Sequence, residues 1–182
     1  MGAFSYLSSA ADKAKNGARQ LGLPVARFEQ FQADTLEPLF IQHAARYAIP
    51  FVRRSGVRIT RLEAGRVDCR LPLKGNVNHI GTMYAGALFT LAEFPVGPLM
   101  LATYGLSRFV PIVTSVRLEF IKACKSDATV TFELPPARAN EIESDTLAQG
   151  ECAFTLTGDI VDAGGDVVAR SHADYLMRPR RK

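Results

Sequence analysis

Residues 83–105 have the sequence MYAGALFTLAEFPVGPLMLATYG, an apolar run in which Glu93 is the only formally charged residue. The run is long enough to span a bilayer, but a charge near the centre of such a helix costs roughly 2.5–3.5 kcal/mol on insertion scales. Pro95 and Pro98 also interrupt its second half. We therefore predict a helix buried in a protein core and restarted at the prolines, and no transmembrane segment.

The segments on both sides of this helix alternate apolar and polar residues, as strands with one buried face do. Two short strands precede the helix, and four strands follow it in a meander. The predicted strands span residues 57–62, 67–73, 112–123, 128–134, 147–161 and 167–177. Antiparallel strands with one segregated helix predict an α+β fold, in which a sheet of about six strands wraps around the apolar helix.

The first fifty residues have a different pattern. Residues 3–20 are rich in alanine with spaced basic side chains, and residues 25–48 place apolar side chains at mostly helical spacing. Two or three amphipathic helices are the simplest interpretation. We therefore divide the chain into an N-terminal helical extension over 1–52, a sheet-and-helix domain over 53–178 and a basic tail over 179–182.

Length and composition exclude several classes of protein. The chain has 182 residues, of which 47% are hydrophobic and 22% charged, and this composition indicates one globular domain, not a disordered or fibrous chain. Cys69, Cys124 and Cys152 are far apart in sequence. An odd number of cysteines without paired spacing argues against a disulfide framework and a zinc site, so we expect no metal and a reducing, cytoplasmic setting.

The formal net charge of +4 is unevenly distributed. Residues 1–70 hold 11 basic and 6 acidic side chains, residues 71–176 hold 7 and 12, and the last six residues hold 4 and none. The central body is therefore acidic, whereas a nucleic-acid binder more often has its basic residues on the folded core. We expect no nucleic-acid partner. A small polyanionic ligand or an anionic membrane surface remains compatible with the basic ends.

The stretch that leads into the helix, NHIGTMYAGALFTLAE at residues 78–93, resembles the corresponding segment of the hotdog-fold acyl-CoA thioesterases. The strand SVRLEFIKA at 115–123 and the turn at 125–127 agree with the same family, above all with its phenylacetate-pathway type and uncharacterised thioesterase-like relatives. The likeness covers about residues 55–177. It implies a hotdog fold and the hydrolysis of an acyl-CoA or acyl-carrier thioester to free acid and thiol, without a cofactor.

The resemblance also assigns catalytic positions. The family has an Asn in the loop before the helix, a His-Gly-Gly step at the helix start and a carboxylate two turns further on. The Asn corresponds to Asn78, the second Gly to Gly86 and the carboxylate to Glu93. Tyr84 stands where the family has His, and Ala85 stands where it has the first Gly.

These residues fit the chemistry of thioester hydrolysis, which needs a base or nucleophile and a donor for the oxyanion. A carboxylate in an apolar helix, such as Glu93, suits the first role because burial raises its basicity. The free backbone N–H groups at the helix start near Gly86 suit the second. Asn78 either holds the attacking water or the thioester carbonyl, or is only a turn residue.

Four neighbouring residues are candidates for substrate binding. Tyr84 and Ala85 would line the pocket, and Thr90 would either hold the attacking water or bond back to a helix carbonyl. His79 precedes Glu93 by fourteen residues. Hotdog-fold hydroxyacyl dehydratases use a His and a Glu at a similar spacing, so a hydroxyacyl-thioester dehydratase is one alternative function.

The remaining expectations concern coenzyme A and partners. Its phosphates would meet cations near strand ends, for which Arg117, Lys122, Lys125 and Arg178 are candidates, although each is equally explained as a solvated surface charge. Exposed edge strands predict a homodimer or a dimer of dimers, and the resemblance implies active sites at the subunit interface. A non-catalytic acyl-CoA- or lipid-binding module and a membrane-associated scaffold are further alternatives.

Overall fold

The computed structural model describes residues 49–105 and 108–180. Within them lie four helices and six strands: α1 (Pro50–Ser55), β1 (Arg58–Glu63), β2 (Arg66–Leu71), α2 (Ala85–Glu93), α3 (Val96–Tyr104), β3 (Phe109–Phe120), β4 (Ala128–Glu133), α4 (Pro136–Gln149), β5 (Cys152–Asp162) and β6 (Val167–Pro179). The helices predicted for residues 3–48 lie outside the described residues. Val52 of α1 is buried in the core.

The strands form one antiparallel sheet in the order β1-β2-β4-β5-β6-β3. The predicted α+β fold, with six strands wrapped around a long helix, is confirmed. The predicted meander of the last four strands is wrong, because β3 pairs with β6 and β4 pairs with β2. Side-chain alternation shows which face of a strand is buried but not which strand is its neighbour, so the crossover after β3 left no signal in the pattern.

The apolar segment lies against the concave face of the sheet as two helices. α2 ends at Glu93 and α3 starts at Val96, because Pro95 has no N–H to donate and so interrupts the ladder of hydrogen bonds. The segment from Ala85 to Tyr104 has the length and mean hydropathy of a membrane span, but 61% of an 18-residue stretch within it is buried in the molecule. It is the core helix that the sequence predicted.

Side chains on alternate positions of the strands fill the space under the helices. Along β5, residues at even positions from Cys152 to Ile160 point inward and the odd positions are exposed. Gly158 belongs to the inward set, and a Cβ at this residue would lie 2.7 Å from the ring of Phe132. The aromatic ring thus occupies the volume that a side chain at residue 158 would need.

Helix α4 was missed by the sequence analysis, which treated the chain after Gly105 as strands and began a strand at residue 147. Strand β5 in fact begins at Cys152. Ala139, Ile142 and Thr146 share the buried face of α4, and the Tyr104 hydroxyl donates to the Ala139 carbonyl at 2.9 Å. The spacing of the three buried residues of α4, together with a proline at the helix start and Gly150 in a left-handed C-cap, is a recognisable helix signal.

The contact between Gly158 and Phe132 gives a test of the packing. Gly158→Ala should lower the free energy of unfolding by about 1–3 kcal/mol, because the ring must move within a filled core. Gly97→Ala is the matched control: a Cβ at Gly97 meets nothing within 4 Å, and alanine favours the helix by about 0.5–1 kcal/mol. Equal stabilities of the two variants in urea unfolding would contradict this packing.

Candidate active site

Two asparagines build the loop that precedes α2. The Asn78 Oδ1 accepts from the N–H groups of Ile80 (3.0 Å) and Thr82 (3.1 Å), and its Nδ2 donates to the Thr82 hydroxyl at 2.9 Å. The Asn76 Nδ2 donates to the carbonyls of Ser55 (2.7 Å) and Pro72 (2.8 Å). Asn78 thus supports the loop with most of its hydrogen-bonding capacity, and one Nδ2 hydrogen remains for a ligand.

The start of α2 presents free backbone donors. Tyr84 precedes the helix in an extended conformation, and its carbonyl accepts from the N–H groups of Ala87 and Leu88. Among the described residues, the N–H groups of Ala85 and Gly86 have no acceptor. The missing side chain of Gly86 leaves room for the Tyr84 ring, whose Cε1 would lie 2.5 Å from an added Cβ. A ligand must therefore share this space with an exposed aromatic ring.

Glu93 is half-buried at the end of α2, and burial raises the pKa of its carboxyl above the ordinary value. It follows Gly86 by seven residues, which places the two on nearly the same face of the helix, about 10 Å apart along its axis. A single carbonyl carbon cannot be adjacent to both residues of one chain unless the carboxylate side chain bridges most of that distance.

The two remaining polar candidates differ in their surroundings. The Thr90 hydroxyl is buried and donates to the Gly86 carbonyl at 2.9 Å, so it bonds back to the helix in the way common for threonine. His79 is exposed on the loop, and no hydrogen bond or ion pair within the described residues joins it to Glu93.

A groove of about 330 Å³ lies beside the loop and the helix start. Its lining comes from the loop, the first turn of α2 and the chain just after β3: Asn78, Thr82, Met83, Ala85, Leu88, Phe120, Ile121, Lys122, Ala123 and Cys124. The Met83 N–H donates to the Cys124 carbonyl at 2.8 Å, which joins the two walls. The groove thus brings together Asn78, Ala85 and Lys122 from the predicted set.

The four candidate cations do not form one cluster. Lys122 lies on the groove and pairs with Asp166, and Arg117 pairs with Glu119 at 3.1 Å. Arg178 pairs with Glu151 at 2.9 Å, near the other end of the β3–β6 pair, roughly 33 Å from the Lys122 end at about 3.3 Å per residue. Lys125 follows in the segment after the groove.

Two residues near the site were missed by the sequence analysis. Asn76, which ties the loop to α1, has the same turn-forming chemistry as Asn78 and was within reach of sequence reasoning. Tyr175 is buried on the inner face of β6, and the charge of Glu93 acts on its hydroxyl. Alternation along β6 predicts its burial, but its nearness to Glu93 depends on the strand order.

The sheet order and the helix within it define a hotdog-fold protein. The family described as a domain of unknown function, DUF4442, matches residues 39–176, and the chain belongs to this family. The match thus begins within the segment that we assigned to the N-terminal extension.

Solved structures agree with the assignment. The chain is similar to PA5026 of Pseudomonas aeruginosa, described as a protein of unknown function and probable thioesterase, at 42% identity over 78% of this chain and 95% of that one, with a TM-score of 0.75. The thioesterase PA1618 of Pseudomonas aeruginosa (12% identity, 76% and 92% covered, TM-score 0.61) and the thioesterase SAV0944 of Staphylococcus aureus (15%, 72% and 100%, TM-score 0.59) share the fold. No curated protein sequence matches this chain.

The burial of Glu93 predicts a gain in stability on its removal. The pKa of Glu93 is raised in the folded protein, so ionisation of its carboxyl lowers the stability of the fold. This loss of stability is absent below the pKa of Glu93 in the unfolded chain and complete above its pKa in the folded protein. Glu93→Gln should therefore raise the melting temperature at neutral pH but not at about pH 3. Glu141→Gln, at an exposed position of α4, should show no such gain; a Glu93→Gln variant that is less stable at neutral pH would contradict the account.

Proposed function

We propose that the protein hydrolyses an acyl-CoA thioester, with Glu93 as the general base or nucleophile and the N–H groups of Ala85 and Gly86 as the oxyanion donors. The single observation that supports this most is that one otherwise apolar helix has free N–H groups at its start and a single carboxylate, Glu93, at its end. The thioesterase descriptions of PA5026 and PA1618 favour the same reaction.

In the general-base form of the reaction, the Glu93 carboxylate takes a proton from water as the oxygen attacks the carbonyl carbon. The charge that develops on the carbonyl oxygen is stabilised by the N–H groups of Ala85 and Gly86. The tetrahedral intermediate then collapses and the C–S bond breaks. Protonated Glu93 gives its proton to the leaving sulfur, so the free acid and the thiol are released and the carboxylate is restored. A raised pKa makes Glu93 a stronger base than a solvated glutamate.

The separation of about 10 Å between Gly86 and Glu93 favours a site shared by two chains. In such a dimer, the helix start of one chain would bind the carbonyl and Glu93 of the partner subunit would approach from the other side. This is the arrangement that the resemblance to hotdog thioesterases implied.

An exposed apolar patch supports the homodimer. The patch comprises exposed side chains of the loop before α2, of α2 and of the segment from β3 onward, and its members are between 40% and 69% exposed: Val77, Ile80, Tyr84, Phe89, Val113, Phe120 and Ile121. Val113 and Phe120 stand opposite the inward-facing Tyr175 and Ala169 of β6, so they lie on the inner side of this edge strand, at positions that the helices leave exposed. A second copy would cover both the patch and the free edge of β3.

Coenzyme A is the carrier we favour, with Lys122 and Lys125 nearest to the groove for its phosphates. Arg178 lies at the far end of the β3–β6 pair, so it is the least suitable of the four cations for binding these phosphates. A location in the cytoplasm stays a prediction.

One observation favours a second function, a non-catalytic acyl-CoA- or lipid-binding module. The Tyr84 ring occupies the space over Gly86 and must turn away before a thioester reaches the amides. The dehydratase has less support, because His79 is exposed and not joined to Glu93 within the described residues. Release of thiol from acyl-CoA separates hydrolysis from binding alone.

Replacement of the carboxylate tests the catalytic proposal. Glu93→Gln should lower kcat by at least about 100-fold on a panel of short, long and aromatic acyl-CoAs, because a general base contributes on the order of 10²–10⁴. Thiol release measured with a chromogenic disulfide reports the rate, and Glu141→Gln serves as the surface control. Unchanged hydrolysis by Glu93→Gln, or no hydrolysis of any acyl-CoA by the native protein, would refute the proposal.

The dimer is tested through Phe89, which is 43% exposed on α2. Phe89→Arg should convert the dimer to monomer in light scattering, since burial of the new charge is costly, and should abolish hydrolysis because the site is shared. Leu147→Arg is the matched control, since Leu147 is an exposed apolar residue of α4, outside the patch. A Phe89→Arg protein that stays dimeric would contradict this interface.

A further inference from the structure

Tyr175 has a buried hydroxyl with no hydrogen-bond partner in the structure. The residue lies on the inner face of β6, only 4% exposed, opposite Phe154 of β5 and Val113 of β3. Its ring stacks on Phe154 with centroids 5.5 Å apart, which restricts where the hydroxyl can point. Buried tyrosine hydroxyls are normally paired because an unmade bond is costly. We therefore expect an acceptor for the Tyr175 hydroxyl.

Glu93 is the charged group whose field acts on this hydroxyl. Burial, and after it the negative charge of Glu93, raises the pKa of Tyr175 far above its ordinary value, and α2, which ends at Glu93, contacts β6. The neighbours on the adjacent strands, Val113 and Phe154, do not titrate, and the next residue, Asp174, is exposed on the outer face. The phenol thus stays protonated at working pH and acts only as a donor toward Glu93.

We propose that Tyr175 is a positioning residue for Glu93: its hydroxyl donates, through one bound water molecule, to the carboxylate oxygen on the sheet side. A water molecule can bridge two polar groups that do not bond directly, and it also satisfies the buried hydroxyl. The second carboxylate oxygen then stays free for the attacking water. The catalytic meaning of this bridge rests on the proposed function, whereas its effect on Glu93 does not.

The bridge has a definite effect on the protonation of Glu93. A donor to the carboxylate stabilises the charged form and lowers the pKa, so removal of the donor must raise it. In Tyr175→Phe we therefore expect Glu93 to titrate at higher pH than in the native protein. The acidic limb of kcat/KM should move in the same direction, and kcat should fall roughly tenfold, as for one lost bond to a charged group.

The experiment is a titration of the glutamate side-chain carboxyls by ¹³C NMR in the native protein, in Tyr175→Phe and in Tyr104→Phe, without substrate. Tyr104 is the matched control, since its buried hydroxyl donates instead to the Ala139 carbonyl at 2.9 Å. We expect the Glu93 resonance to move to higher pH in Tyr175→Phe alone. An unchanged Glu93 titration in that variant would overturn the inference, even if the variant were more stable than the native protein.

The outcome also separates this inference from the proposed function. If the native protein hydrolyses no acyl-CoA but the Glu93 titration moves, the coupling between the two side chains stands and the proposed reaction fails. If hydrolysis depends on Glu93 but the titration does not move, the reaction stands and Tyr175 has no positioning role.

Discussion

The burial of one apolar helical segment against a curved antiparallel sheet is the constraint on which the rest of the structure depends. α2 and α3 have almost no polar side chains with which to face water, and the inward residues of β2, β4, β5 and β6 cover them. This packing sets the strand order around the helix. It also fixes the direction of the helix start, where the loop held by Asn76 and Asn78 meets the groove.

The same packing explains why a single carboxylate has unusual properties. Glu93 is attached to the buried helix, and its pKa is raised because the fold withholds water from it. A charge kept at such a cost is a candidate for function. The helices also leave part of edge strand β3 uncovered: Val113 and Phe120 are exposed on its inner side, whereas Val116 and Leu118 pack against the core. The position of the carboxylate and the presence of an apolar patch are thus two results of one packing arrangement.

Much of this architecture could be predicted from the sequence. The apolar run, its break at Pro95 and the alternation in the strands indicated a sheet around a helix, because periodicity records burial directly. The pairing of β3 with β6 could not be predicted, because neighbours in a sheet are chosen by long-range packing. Helix α4 was missed although its caps and the spacing of Ala139, Ile142 and Thr146 were visible. For the site, residues of the loop motif were predicted as a local group, whereas Tyr175 lies far away in sequence, and the effect of the Glu93 charge on it depends on the strand order.

The central claim is that the start of α2 and the Glu93 carboxylate act on the same thioester. A crystal structure of the protein with an acyl-CoA analogue in which a ketone replaces the thioester tests it most directly. We expect the ketone oxygen to lie about 2.7–3.1 Å from the backbone nitrogen of Ala85 or Gly86, with the Tyr84 ring turned aside and a Glu93 carboxylate next to the carbonyl carbon. A ketone bound away from the helix start, or one with no Glu93 beside it, would contradict the account.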